Sequence, residues 1–123
     1  MKIFVAGATG ALGLPLVRVL CTLGHQVVGM TRAGPGEDRL RELGAAVSTA
    51  DALDPQAVRD AIAAAAPDVV IDQLTALPAS PADIIKAMPT DTRLHKDGGA
   101  NLLAAAEERI LVGLLPPART PAG

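Results

Sequence analysis

Apolar and polar positions change period several times along the chain, from strand-length apolar runs to helical spacing and back. Lys2 to Ala6 is a short apolar run that ends at a glycine turn, the first strand. A helix follows from about Ala11 to Leu23, with Gly24 as its left-handed C-cap. Pro15 falls in or near the first turn, where a missing amide donor costs little. Gln26 to Thr31, apolar and β-branched in its middle, is the second strand. Glu37 to Leu43 is a short helix with Gly44 just past its end, and Ala46 to Thr49 a third strand. Asp54-Pro55 pairs an N-cap with a proline at the first helical position. That helix runs through the alanines to Ala66 and stops at Pro67. Asp68 to Asp72 is apolar through its middle, as a parallel strand covered on both faces would be. Leu77 to Pro89 is proline-rich and reads as a loop with one short helix. Thr90 or Asp91 caps a long helix reaching about Arg109. Gly98-Gly99 inside it costs roughly 1 kcal/mol per glycine relative to Ala, which predicts close packing there. Ile110 to Leu115 has the pattern of a fifth strand, ahead of a proline-rich tail, Pro116 to Gly123.

This β-α-β-α-β-α-β-α-(β) order predicts an α/β fold, a doubly wound parallel sheet, because crossovers are right-handed and helices must cover both faces. At 123 residues without an internal repeat, it is one domain. Half of the residues are hydrophobic but only 1% are aromatic, so the core must be built from Ala, Val, Leu and Ile. The net charge of −2 argues against a nucleic-acid partner, which would demand a basic face. One cysteine makes no internal disulfide, which suits a reducing cytoplasm. The apolar run at the amino terminus is too short for a signal peptide, and no stretch approaches the roughly 18 to 20 apolar residues of a membrane span. The expectation is therefore a cytoplasmic protein with no membrane partner. Two separated histidines and a single cysteine give no metal-ligand spacing.

Gly7-Ala8-Thr9-Gly10-Ala11-Leu12-Gly13 follows a strand and opens a helix, the context that gives a glycine pattern chemical meaning. The first glycine permits the tight turn, the second the approach of a diphosphate, and the third close helix packing. The helix-end amides and dipole then face the anion. The spacing is G-x-x-G-x-x-G. With Leu14-Pro15-Leu16-Val17, Gly24-His25-Gln26-Val27-Val28, Val70 to Leu77 and Asn101 to Ala106, the chain resembles the extended or atypical short-chain dehydrogenase/reductase superfamily. Within it, the likeness is to the NAD-dependent epimerase/dehydratase family, over about residues 1–109. The resemblance implies a Rossmann-like NAD(P)-binding domain over 1–109. Residues 110–123 continue it poorly, so the fold reads as truncated after about four or five strands.

The cofactor expectation divides between NADP, preferred, and NAD. An NAD site usually carries Asp or Glu at the end of the second strand. This chain places Met30-Thr31-Arg32 there, with no carboxylate until Glu37. A guanidinium at Arg32 grips a 2′-phosphate, the alternative being a solvated loop arginine. The candidate cofactor residues from the glycine turn are Gly7, Thr9, Gly10, Ala11, Leu12 and Gly13, joined by Thr31 and Arg32. By resemblance, Asp51 with Ala52 contacts adenine, and Leu74, Thr75 and Ala76 line the central ribose. A plain loop role for Asp51, and packing for Leu74 and Ala76, explain them equally.

Family members that do redox chemistry use a Tyr, a Lys four residues later and an upstream Ser or Thr. This chain has no tyrosine, and Lys2, Lys86 and Lys96 stand in no matching position. No catalytic residue is therefore assigned. The resemblance places the catalytic strand and the substrate-binding part after about residue 110, so the chain reads as a truncated product, its tail out of frame. Its partner is then a dinucleotide with substrate unknown, and the exposed sheet edge offers a surface for self-association. Two readings stand: the cofactor-binding half of an epimerase/dehydratase-like oxidoreductase, or a non-catalytic NADP sensor resembling NmrA-like regulators. Cys21 and Asn101 read as packing residues and His25 as a turn residue, while Asp68 and Asp72 bracket the fourth strand as solvated ends.

Overall fold

The computed structural model describes residues 1–74 and 92–114, with side chains through residue 108. Four parallel strands, β1 (Lys2–Ala6), β2 (Gln26–Thr31), β3 (Ala46–Thr49) and β4 (Val69–Asp72), form a sheet of order β3-β2-β1-β4. Helices α1 (Gly13–Thr22), α2 (Gly36–Glu42) and α3 (Pro55–Ala65) connect them. A single π-helical turn, Leu94–Gly98, leads into α4 (Gly99–Leu114). β1 is central, pairing Ile3 to Ala6 with Val69 to Asp72 on one side and Lys2 to Ala6 with Gln26 to Met30 on the other.

Alternation along β1 divides the core into two layers. Ile3 and Val5 join Val17, Val27 and Leu40 in the layer with α1 and α2. Phe4 and Ala6 join Met30, Val58, Ile62, Leu102 and Ala105 in the layer with α3 and α4. Both faces of the sheet are thus apolar, which is why the strands read as continuous hydrophobic runs. Gly29 leaves room on the first face: a Cβ there would stand 2.9 Å from both Ala8 Cβ and Leu40 Cδ1. Among the described residues no polar or charged side chain is buried.

The punctuation expected from local chemistry is present. Gly24 and Gly44 take φ values of +88° and +90° after α1 and α2. Asp54 caps α3, its Oδ1 accepting from the amides of Gln56 (3.1 Å) and Ala57 (3.2 Å), with Pro55 at the first helical position. Asp54→Ala should therefore lower stability by about 1 kcal/mol in urea denaturation, the usual loss for such a cap. The expected packing at Gly98-Gly99 is also there. A Cβ on Gly98 would lie 3.0 Å from Leu74 Cδ1 and 3.3 Å from Ala52 Cβ, and one on Gly99 would lie 3.2 Å from Asp72 Oδ2.

One expectation fails. Ile110 to Leu114 is not a fifth strand, because α4 continues through Leu114. Those residues follow Ala104-Ala105-Ala106-Glu107-Glu108, strong helix formers, and a helix already nucleated gains a bond with each added residue. The expected caps Thr90 and Asp91, the loop 77–89 and the tail 116–123 lie outside the described residues. With β3 and β4 at the sheet margins, Val69 on β4 is 36% exposed.

Candidate functional site

All four strands point their carboxyl ends the same way, so the loops that follow them gather at one margin of the sheet, where open α/β folds place ligands. One of these is the glycine turn from β1 to α1. Gly7 has φ +72°, Gly10 N–H donates to Gly7 O at 3.1 Å, and Leu14 N–H donates to Gly10 O at 3.1 Å. A Cβ on Gly7 would strike the Gln73 carbonyl beyond β4. A Cβ on Gly13 would strike the Gly7 carbonyl oxygen and stand 3.0 Å from Ala8 Cα. Gly13 thus makes room for the backbone of the turn itself, at the point where α1 meets the exit of β1. Of the amides in the first turn of α1, those of Leu14 and Leu16 donate to the turn carbonyls of Gly10 and Leu12 at 3.1 and 3.2 Å, and Pro15 has no N–H.

Against this turn lies a cavity of about 190 Å³. Gly7, Thr9 and Gly10 line it from the glycine turn, Met30, Thr31 and Arg32 from the end of β2, and Ala50, Asp51, Ala52 and Leu53 from the loop after β3. Leu74 and Leu94 complete it. Of the residues expected at a site, Gly7, Thr9, Gly10, Thr31, Arg32, Asp51, Ala52 and Leu74 are brought together here. Ala11 and Leu12 are exposed beside the cavity, not on its wall, with Leu12 at 72% exposure. Gly13 is buried behind the turn. Thr75 and Ala76 lie outside the described residues.

Met30, Ala50, Leu53 and Leu94 were not anticipated. Met30 carried a usable signal, since it alternates with Val28 onto the face shared with Ala6, its register partner. Leu94 carried none, because only packing brings the start of the last helix over this margin.

Polar groups around the cavity are organised by short-range bonds. Thr9 Oγ1 and Thr31 Oγ1 are 3.0 Å apart, tying the glycine turn to the end of β2. Asp51 Oδ1 accepts from Leu53 N–H at 2.9 Å, and Asp51 O from Asp54 N–H at 3.0 Å, so this carboxylate shapes its loop whatever else it does. Asn101 Nδ2 donates to Ala52 O at 2.8 Å, which gives that side chain a packing role between α4 and the loop after β3. Arg32 is exposed and makes no ion pair among the described residues. Asp68 Oδ2 accepts from Lys2 N–H at 2.8 Å and Asp72 Oδ1 from Leu74 N–H at 2.9 Å, strand-end bonds rather than a shared acid–base site. Burial pushes the Cys21 thiol above its ordinary value, which suppresses the reactive thiolate. Among the described residues, no three of His, Cys, Asp and Glu are grouped to hold a metal ion. No helix among them is long and apolar enough to cross a membrane.

The family model for the NAD dependent epimerase/dehydratase family matches residues 3–113. A 3-diazoavenalumate denitrifying reductase from a Streptomyces species is 43% identical over 109 residues, covering 86% of this chain and 34% of the relative. The fold is similar to that of Thermus thermophilus UDP-glucose 4-epimerase, solved in complex with NAD, with a TM-score of 0.70, 27% identity, and coverage of 89% of this chain and 34% of that one. Escherichia coli serine dehydrogenase shares the fold at a TM-score of 0.76 and 21% identity, over 92% of this chain and 57% of that one. The chain thus spans about a third of the length of the reductase and of the epimerase.

Proposed function

Since the chain belongs to the NAD dependent epimerase/dehydratase family, we propose that it is the dinucleotide-binding portion of an epimerase/dehydratase-like oxidoreductase and that it takes NADP in preference to NAD. The observation that carries this reading is the glycine turn. At Gly7 and Gly13 the space for a β-carbon is closed by backbone, and the turn opens onto a cavity at the carboxyl ends of the strands. That cradle fits a diphosphate, which needs close backbone approach at the start of a helix.

In this reading the backbone from Gly7 to Gly13, through Thr9, Gly10, Ala11 and Leu12, holds the diphosphate. Thr31 and Arg32 hold the adenosine 2′-phosphate, Asp51 and Ala52 border the adenine, and Leu74 borders the central ribose. Met30, Leu53 and Leu94 supply apolar wall that keeps water from the adenosine end. A bound nicotinamide dinucleotide supplies a reversible hydride acceptor. The chain's own share is to bind and orient it, for no tyrosine is present to act as the proton donor of the family's redox members.

Arg32 decides the cofactor. It is the cation at the end of β2 on the cavity wall, and no acidic residue stands between it and Glu37. Calorimetric titration should show tighter binding of NADP+ than of NAD+. Arg32→Ala should weaken NADP+ by about tenfold or more, the scale of a charge-assisted hydrogen bond, and leave NAD+ nearly unchanged. Tighter binding of NAD+ by the wild-type chain would refute the preference. A folded chain that binds neither nucleotide would refute the function.

A further inference from the structure

Glu37 is the first carboxylate after β2, one residue inside α2 and next to the loop that carries Arg32. Its Oε1 accepts a hydrogen bond from Thr49 Oγ1 at 2.6 Å. Thr49 ends β3 and is the register partner of Thr31, whose hydroxyl in turn meets Thr9. The residue before Glu37 is also held. A Cβ on Gly36 would stand 2.6 Å from Thr9 Cγ2, so the loop after Arg32 is seated against the glycine turn. The backbone ahead of Glu37 is therefore fixed on the β1 side and its carboxylate on the β3 side. Arg32 and Thr31 line the cavity, whereas Glu37 and Thr49 do not.

We propose that Thr49 is a positioning residue for cofactor choice: it holds the Glu37 carboxylate on β3, away from the cavity, and so leaves Arg32 alone to meet a 2′-phosphate. This rests on the reading of Arg32 given above. Freed from Thr49, the carboxylate has the loop's surface to explore. A carboxylate near the end of the second strand is the group that accepts hydrogen bonds from an unphosphorylated ribose diol, and it repels a phosphate dianion. Thr49 thereby biases the site toward the phosphorylated cofactor without touching it.

Calorimetric titration of the full chain with NADP+ and with NAD+ tests this on the wild type, Thr49→Val, Thr49→Ser, Glu37→Gln and the Thr49→Val/Glu37→Gln double variant. Thr49→Val should lower the ratio of NADP+ to NAD+ affinity by about fivefold, the scale of like-charge repulsion at a solvated surface, and by less at high salt. Thr49→Ser keeps the hydroxyl and should keep the ratio. Glu37→Gln should hold or raise it, and the double variant should return to the wild-type ratio, because an amide has no charge to release. A bond that merely steadied α2 would move both affinities together. An unchanged ratio in Thr49→Val, or an equal loss in Thr49→Val and the double variant, overturns the proposal. If the wild type prefers NAD+, the Arg32 reading falls, and the ratios across the variants still decide the role of Thr49.

Discussion

Replacing Gly7 with alanine is expected to destabilise the chain by about 3 kcal/mol and to abolish dinucleotide binding. Two penalties combine. At φ +72° an L side chain is strained by roughly 1 to 2 kcal/mol. The new Cβ also meets backbone, lying 2.5 Å from Gln73 C and 2.9 Å from Leu74 N, and overpacking of this kind typically costs about 1 to 3 kcal/mol. No rotamer relieves a clash with a carbonyl. Gln73 is itself bound to β1, its N–H donating to Ala6 O at 2.9 Å, so relief means parting β4 from β1 or opening the turn. Gly24→Ala is the matched control: φ is +88° there, yet nothing lies within 4 Å of the added carbon. It should lose only about 1 kcal/mol from backbone strain, with binding intact. Urea denaturation and calorimetry of the two variants check this, and equal losses would show that the contact with Gln73 is not limiting.

Phe4→Ala should be the most damaging core change. Phe4 is fully buried at the middle of β1, with Val28 and Val70 as register partners on either side, and it anchors the layer shared with α3 and α4. The surrounding core is mostly Ala, Val, Leu and Ile, with few long side chains able to fill the space. Such truncations cost about 3 to 5 kcal/mol, against a total stability of about 5 to 15 kcal/mol for a typical domain. The variant should stand near its unfolding threshold in the absence of ligand. A ligand at 100 times its dissociation constant adds about 2.7 kcal/mol, so a saturating nicotinamide dinucleotide should recover much of the folded signal in circular dichroism. Leu103→Ala, at a position 61% exposed, should change stability by less than about 0.5 kcal/mol. A Phe4→Ala chain as stable as Leu103→Ala would mean that the α3 and α4 layer contributes little.

Residue order alone carried the run of elements from β1 to β4, the glycine turn, the proline-led start of α3 and the glycine ends of α1 and α2. Each rests on interactions within a few residues, such as a cap bonding its own helix, a φ that only glycine adopts freely, or a hydrophobic period. The same local reasoning misjudged residues 110–114, where a short apolar run suggested a strand and helix propagation from Gly99 prevailed. The rest depended on contacts between distant segments. Strand pairing set Ala6 beside Met30 and Thr31 beside Thr49. Packing carried Leu94 to the cavity and Gly98 against Leu74 and Ala52. Composition and spacing hold no record of such meetings, because they arise only when parallel crossovers bring strand ends together.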